Sequence, residues 1–493
     1  MTELFEPIAV IGFAARFPGS RDPAGFWQNL RAGRDCITRL TDTELLAAGE
    51  TPERVGDPSY VKAAGLLSDV ADFDADFFGM SPQDAQMCDP QLRMMLELVH
   101  LAVEDAGYST EGIGRDVAVF AASGPSRYAT VNLLPHPRHA AGMDLRMSVL
   151  NNVDYLATLV SYKFDFRGPS MSVLSACSSS MSAVHLACQS LQLGECDAAV
   201  AGACNVELPY ARGYRWSPGD VRSADGHCRP FDASASGTIF TNGGAVLVLK
   251  RLSDAIVDGD DVRGIVRGIG LTNDGSDKVS FSAPGVSGQV RAIRDAMALA
   301  DIGPEAVSFV EMHATGTALG DPVEMAALAQ AYREAGGDGL APGSIPVGSV
   351  KSNIGHTVAA SGMAGLLKVL LALRYEELPP TANLSLLNPR LELGRTPFAV
   401  PTTVLPWPRR VGAPRIAAVT SLGIGGTNAH LVVEEGPAPC PTPDGGRPRV
   451  VAWSARDAAT GEVVRTGLAE HFGRLDGARF DGALFADTVA TLQ

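Results

Sequence analysis

Four short windows of this chain hold the residues best suited to chemistry. In SVLSACSSSMSAVHLA (172–187) an apolar, strand-like piece runs into small residues, and a helical pattern follows at once. Cys177 is therefore expected on a tight strand-to-helix turn at a helix N-terminus, where exposed amides and the macrodipole favour thiolate over thiol. Its alanine and serine neighbours leave room for an incoming acyl group, and a backbone amide of the turn can face a developing oxyanion. Taken alone, the window supports either a nucleophile or a packed turn cysteine. Cys188, one helical face further on, reads as packing.

The second window, EMHATGTALGDPVE (311–324), follows the apolar run VSFVEM, so a strand delivers His313 into a Gly/Thr loop before a helix begins near Asp321. A neutral imidazole there can donate to a carbonyl that is gaining charge, and Thr315 and Thr317 set hydroxyls beside it. A satisfied structural histidine is the competing reading. The third, VKSNIGHTVAASGMAG (350–365), places Lys351 and His356 across a strand-to-helix turn that opens onto small residues. Lys351 is either a solvated charge or, given the flanking PVGSV, a buried stem with a paired ammonium whose natural partner is Glu324 or Asp321. The fourth, SLGIGGTNAH (421–430), is a Gly-rich loop after the strand IAAVT: a strand-to-strand turn, or a backbone amide aimed at an anion.

The elements that must position these residues recur along the chain. Apolar runs closed by glycine or polar residues, at 7–12, 116–124, 197–208, 243–251, 307–317, 346–356, 416–426 and 429–435, read as buried strands. Helical patterns at 90–107, 180–194, 288–303, 321–337 and 360–377 lie between them. Strand and helix alternating over most of the length predict an α/β protein with mainly parallel sheets. At 435–449 the composition turns to Pro and Gly, which reads as a linker. Beyond it, 450–455 reads as one strand and 462–475 as one amphipathic helix, too little to bury a core alone.

Length and composition bound the rest. The chain has 493 residues, 46% of them hydrophobic and 19% charged, enough for two or three domains or one large duplicated core with an appendage. A net charge of −15 provides no overall positive field, so neither nucleic acid nor an anionic membrane is an expected partner. Eight cysteines in 493 residues are too sparse for a disulfide framework, and with no CxxC pair their wide gaps complete no tetrahedral metal set. The N-terminus lacks the basic flank and apolar stretch of a signal peptide, and no run of 18 apolar residues follows, so a cytoplasmic protein is expected.

Taken in order, the windows resemble one family, the β-ketoacyl synthases, and within it the ketosynthase domains of modular polyketide synthases. The resemblance covers about residues 5–435, from EPIAVIGFAARFPGS through FDADFFGMSPQDAQMCDPQLRMMLE, ACSSS, HATGTALGDPVE, KSNIGHTVAASG and GIGGTNAH. It implies a thiolase-type duplicated α/β/α/β/α sandwich over residues 1–435, usually a homodimer. Residues 436–449 would be a linker, and 450–493, including DTVATLQ, would open an adaptor toward a following acyltransferase. Carried over by position, the resemblance makes Cys177 the acyl-accepting nucleophile, His313 and His356 the pair that polarises a malonyl thioester, and Lys351 their electrostatic support with Glu324 as its ion partner. The amides of Cys177 and Ile424 would form the oxyanion hole, and Thr315 and Thr317 would hold the pantetheine arm.

The activity implied is a decarboxylative Claisen condensation, with phosphopantetheine arriving on an acyl carrier protein and no metal or other cofactor held permanently. A non-elongating relative that only transfers or gates the acyl chain is the alternative. The chain departs from the family pattern at Leu174-Ser175, where Asp-Thr is usual, at Ile424, where Phe is frequent, and at FTNG (240–243), where many members carry RGEG. These positions border the acyl pocket, so they bear on substrate preference.

Overall fold

The computed structural model describes residues 6–139, 142–437, 451–455 and 457–476. By their internal contacts the residues divide into two units, Met1–Gly436 and Pro437–Gln493. In the second unit a helix spans Ala458–Asp476, and residues 451–455 form no strand, contrary to the expectation for 450–455. Among the described residues that segment pairs with no strand, and apolar character alone does not make one. Most of the expected linker, residues 438–449, and DTVATLQ lie outside the described residues.

The first unit is built from the same arrangement twice. Its first half contains β1 (Ile8–Arg16), α1 (Pro90–Asp105), β2 (Val117–Ser123), α2 (Leu156–Phe164), β3 (Ser170–Ser172), α3 (Ser179–Gln192), β4 (Ala198–Asn205) and β5 (Gly243–Arg251). The second contains β6 (Gly264–Asn273), α4 (Val286–Ala300), β7 (Phe309–Glu311), α5 (Gly320–Glu334), β8 (Ile345–Gly348), α6 (Ser361–Tyr375), β9 (Ile416–Leu422) and β10 (Thr427–Glu434). The strands run β3-β2-β4-β5-β1 in one half and β8-β7-β9-β10-β6 in the other, the same order once each half is counted from its own first strand. The halves join where Ile8 of β1 faces Val266 of β6.

The sheet is mixed rather than mainly parallel. β2 pairs parallel with β3 and β4, and β7 with β8 and β9, but β1, β5, β6 and β10 make antiparallel pairs through the middle. The reason is visible between β9 and β10, joined by the four residues 423–426: a turn that short has no room for a crossover helix and reverses the chain.

Both sheet faces are covered, which is why the strands read as continuous apolar runs. In β5, Leu247 and Leu249 face the central layer while Val246 and Val248 face the outer one. The central layer is α3 and α6, with Met181, Val184, Met363 and Leu366 packed between strands of both halves. Outside lie α1 and α2 on one side and α4 and α5 on the other. This is the duplicated α/β/α/β/α sandwich that the resemblance implied. Residues 358–375, which include α6, are apolar enough by composition to span a bilayer, with a mean hydropathy of 1.4, yet 83% of the segment is buried inside the protein.

Sequence reading passed over β6 because GIVRGIGLTN is broken by glycines. Those glycines are required by packing. A Cβ at Gly270 would stand 1.9 Å from the Ala292 carbonyl of α4, and Gly12 of β1 is pressed in the same way by the Ala102 carbonyl of α1 at 2.5 Å.

Candidate functional site

Cys177 occupies a single 3₁₀ turn, Ala176–Ser178, between β3 and the N-terminus of α3. Ala176 is held at φ +54°, a left-handed conformation that costs a non-glycine residue on the order of 1 kcal/mol or more. Serines hold the chain there. The Ser175 amide donates to Ser179 Oγ (2.9 Å), Ser179 Oγ donates to the Ala176 carbonyl (2.7 Å), and Ser178 Oγ donates to the Ser175 carbonyl (2.8 Å). Ser361 of α6 and Ser421 of β9 both donate to the Cys177 carbonyl, at 3.1 and 3.0 Å.

The β9–β10 turn delivers the amide of Ile424 to the sulfur. That N–H and the N–H of Cys177 itself both act on the thiol, each lowering its pKa. The two segments approach so closely that a Cβ on Gly423 would stand 2.4 Å from the Ser175 carbonyl. Contrary to the sequence expectation of a favoured thiolate, burial holds the thiol above its ordinary value, against the opposing pull of the Ile424 amide and the Lys351 charge. A cavity of about 360 Å³ opens over the sulfur, and Cys177, His313, His356, Thr315, Thr317 and Ile424 all line it.

His313 follows β7, and its ring lies 5.4 Å from that of His356, nearly perpendicular to it. Burial, then the Lys351 charge, push both imidazoles well below the ordinary histidine range, so both are neutral near pH 7. The Val358 amide donates to His356 Nδ1 at 3.2 Å, which leaves the ring proton on Nε2. Thr317 Oγ1 accepts from the Gly320 amide at 3.1 Å and lies 3.4 Å from Thr315 Oγ1.

The expected ion pair between Lys351 and Glu324 is not a direct contact. Glu324 gives both oxygens to the loop, accepting from the His313 amide at 2.7 Å and the Ala314 amide at 2.8 Å. Asp321 is occupied likewise by the amides of Gly316 (3.1 Å) and Phe231 (2.9 Å). Burial lowers the pKa of Lys351, while the fields of Glu311 and then Glu324 oppose that shift. Burial, together with the Asp321 charge, pushes Glu324 upward.

The described residues contain no group of three or more His, Cys, Asp and Glu side chains arranged to hold a metal. The cysteines among them are all buried with free thiols.

Models of the β-ketoacyl synthase N-terminal domain, C-terminal domain and C-terminal extension match residues 5–255, 263–385 and 388–480. The chain belongs to the β-ketoacyl synthase family. This ketosynthase is 43% identical to a phenolphthiocerol/phthiocerol polyketide synthase of Mycobacterium tuberculosis (strain ATCC 25618 / H37Rv), over 97% of the chain and 33% of that protein. It therefore spans about a third of the length of that relative. Polyketide synthase PksL of Bacillus subtilis (strain 168) is 36% identical over 92% of the chain and 10% of its own length.

Among solved structures, ketosynthase twelve of the bacillaene polyketide synthase of Bacillus amyloliquefaciens matches with a TM-score of 0.87 at 37% identity, over 96% of this chain and 81% of that one. The ketosynthase from module 6 of the bacillaene synthase of Bacillus subtilis 168 matches with 0.84 at 32% identity, over 99% and 80%. The fold is of the thiolase type, and the ketosynthase is of the modular polyketide synthase kind.

Sequence reading missed one pair behind the site of this ketosynthase. Glu311, two residues before His313, lies 2.7 Å from Lys368 of α6, with both side chains almost fully buried. Its other oxygen accepts from the Val350 amide at 2.5 Å, next to Lys351. A charged residue at the end of the apolar run VSFVEM and a lysine inside the apolar helix MAGLLKVLLAL were the available signals.

Proposed function

We propose that this ketosynthase joins an acyl group to a malonyl-type unit by decarboxylative condensation, with both delivered as thioesters on carrier proteins. The observation that carries the reading is the convergence of one thiol, two backbone amides and two neutral imidazoles on a single cavity.

The Cys177 sulfur attacks the carrier-bound acyl carbonyl, and the amides of Cys177 and Ile424 receive the oxyanion. Carrier thiol departs with the proton that Cys177 gives up, leaving the acyl-cysteine. A malonyl thioester then enters the same cavity with its carbonyl oxygen toward His313 and His356. Hydrogen bonds from the two rings stabilise the enolate that forms as CO2 leaves, and the enolate carbon attacks the acyl-cysteine carbonyl. The new carbon–carbon bond leaves the β-ketoacyl product on the second carrier and returns Cys177 as the thiol after protonation. Burial keeps the imidazoles neutral, and the field of Lys351 acts in the same direction. Thr315 and Thr317 face the pantetheine arm, which comes and goes with the carrier.

We read residues 1–435 as the condensing domain, 436–449 as a linker and 450–493 as the start of an adaptor toward an acyltransferase. A homodimer in the cytoplasm is the expected working form.

The test separates the half-reactions. Cys177→Ala abolishes acyl loading by intact mass but keeps releasing CO2 from a malonyl carrier. His356→Ala loads acyl groups while condensation falls about 10² to 10⁴-fold, the range for losing a positioned proton-transfer group or oxyanion donor. Wild-type protein that loads acyl groups yet releases no CO2 from any malonyl-type carrier would overturn the condensing role.

A further inference from the structure

Two cavities in this protein share a wall residue. Phe240 lines the cavity over Cys177 and also a second one of about 250 Å³, and its ring stands 5.7 Å from the ring of His356. It belongs to the segment FTNG (240–243), one of the places where the chain leaves its family's pattern.

Charge, rather than hydrocarbon, dominates the second cavity. Its wall includes the guanidinium groups of Arg54, Arg127, Arg212 and Arg222 against the carboxylates of Glu50 and Glu207. Most of these are engaged. Arg54 pairs with Glu50 at 3.1 Å, Arg222 pairs with Asp220 at 2.6 Å, and Arg212 donates to the Ala48 carbonyl at 2.8 Å. Glu207 accepts from Asn205 Nδ2 at 3.1 Å. Arg127 is exposed, and its guanidinium has neither an ion pair nor a hydrogen bond to another side chain or backbone group among the described residues.

We propose that the far end of the acyl chain on Cys177 passes Phe240 into this second cavity and carries an oxygen-bearing terminus, a carboxylate above all, that Arg127 binds. The inference rests on the condensing role proposed above. The ring of Phe240 gives the methylene portion of the chain an apolar face, and a side-chain rotation there opens the passage without moving the backbone. Beyond the ring a terminal methyl would displace water from charged groups with nothing in exchange. A carboxylate instead meets the forked donors of a guanidinium that only water occupies, and exchanges its own water for them.

The test uses the full chain and N-acetylcysteamine thioesters of matched length ending in methyl, hydroxyl or carboxylate, with acetyl as the short reference. Acylation of Cys177 is followed by intact mass. Wild-type protein is expected to load the carboxylate-ended chain about two- to fivefold faster than the methyl-ended one, the range for an ion pair to an exposed guanidinium. Arg127→Gln brings that ratio toward one. Because the ratio is taken within one preparation, any loss of folded protein cancels. Phe240→Ala raises loading of the long chains relative to acetyl. Acetyl loading together with a ratio that Arg127→Gln leaves unchanged, or a wild-type preference for methyl, overturns this inference alone. No acylation by any thioester, acetyl included, overturns it together with the condensing role.

Discussion

Burial and activation pull Cys177 in opposite directions. Burial holds the proton on sulfur, while two amides and the Lys351 charge draw it off. Since the folded pKa is raised above the usual thiol value, the thiolate is a minority at neutral pH and grows about tenfold per pH unit below that pKa. Alkylation of Cys177 by iodoacetamide, mapped by peptide mass, should therefore keep climbing between about pH 7 and pH 9. A plateau already at neutral pH would show that the thiolate is the resting state. At the same scale, Glu311 and Lys368 stabilise the walls of the site as a buried pair. Removing one partner strands a charge, so Glu311→Gln or Lys368→Met is expected to cost about 3–5 kcal/mol in urea unfolding. The double variant should cost less than the sum of the two, because neither charge then lacks its partner. Strict additivity would rule out coupling between them.

At the scale of elements, the candidate site is a contact between a turn and a hairpin. The Cys177 turn is held by serine hydroxyls and by α6 and β9, and the β9–β10 turn reaches it only because Gly423 has no side chain. Gly423→Ala would push a methyl group against the Ser175 carbonyl and withdraw the Ile424 amide from the sulfur. Acylation is expected to fall about 10² to 10³-fold, the range for losing an oxyanion donor. The far-ultraviolet circular dichroism should stay unchanged, since the displaced residues lie outside the ladder. Acylation at the wild-type rate would remove the Ile424 amide from the mechanism. The glycines of β6 make the complementary point: GIVRGIGLTN reads poorly as a strand in isolation, and the pressure of α4 on Gly268 and Gly270 and of Leu370 of α6 on Gly264 explains why glycine stands there.

At the scale of the molecule, the sheet ends at β3, the last strand in its order, and a strand edge with one side unpaired invites a second chain. Around it Met171 is 50% exposed, Leu174 61% and Tyr162 80%. A second copy pairing β3 to β3 would cover these side chains, and such an interface is self-complementary under a two-fold axis. Sedimentation at micromolar concentration should give about twice 51.5 kDa, and Met171→Asp should move the protein toward the monomer. A wild-type monomer with full condensing activity would exclude this assembly.

Residue types and spacing by themselves brought out the candidate residues of the site, and the family resemblance of their windows gave them roles. Cys177, His313, Lys351, His356 and the Gly-rich loop lie in short windows whose local pattern, an apolar run broken by small residues, reports a strand end or a turn. Burial on both sheet faces likewise made β5 legible as GGAVLVLKR, residue for residue. Strand direction was not legible, because the same apolar run satisfies a parallel or an antiparallel ladder and the choice depends on the connection and the neighbours. Nor was the partner of Lys351: Glu324 is adjacent in the motif, but its oxygens are taken by two amides that only the folded loop turns toward it. The protonation of Cys177 was decided by tertiary structure for a similar reason. A helix N-terminus is a local feature that favours the anion, whereas the surrounding layers that exclude water, and thereby favour the thiol, are assembled from residues distant in the chain.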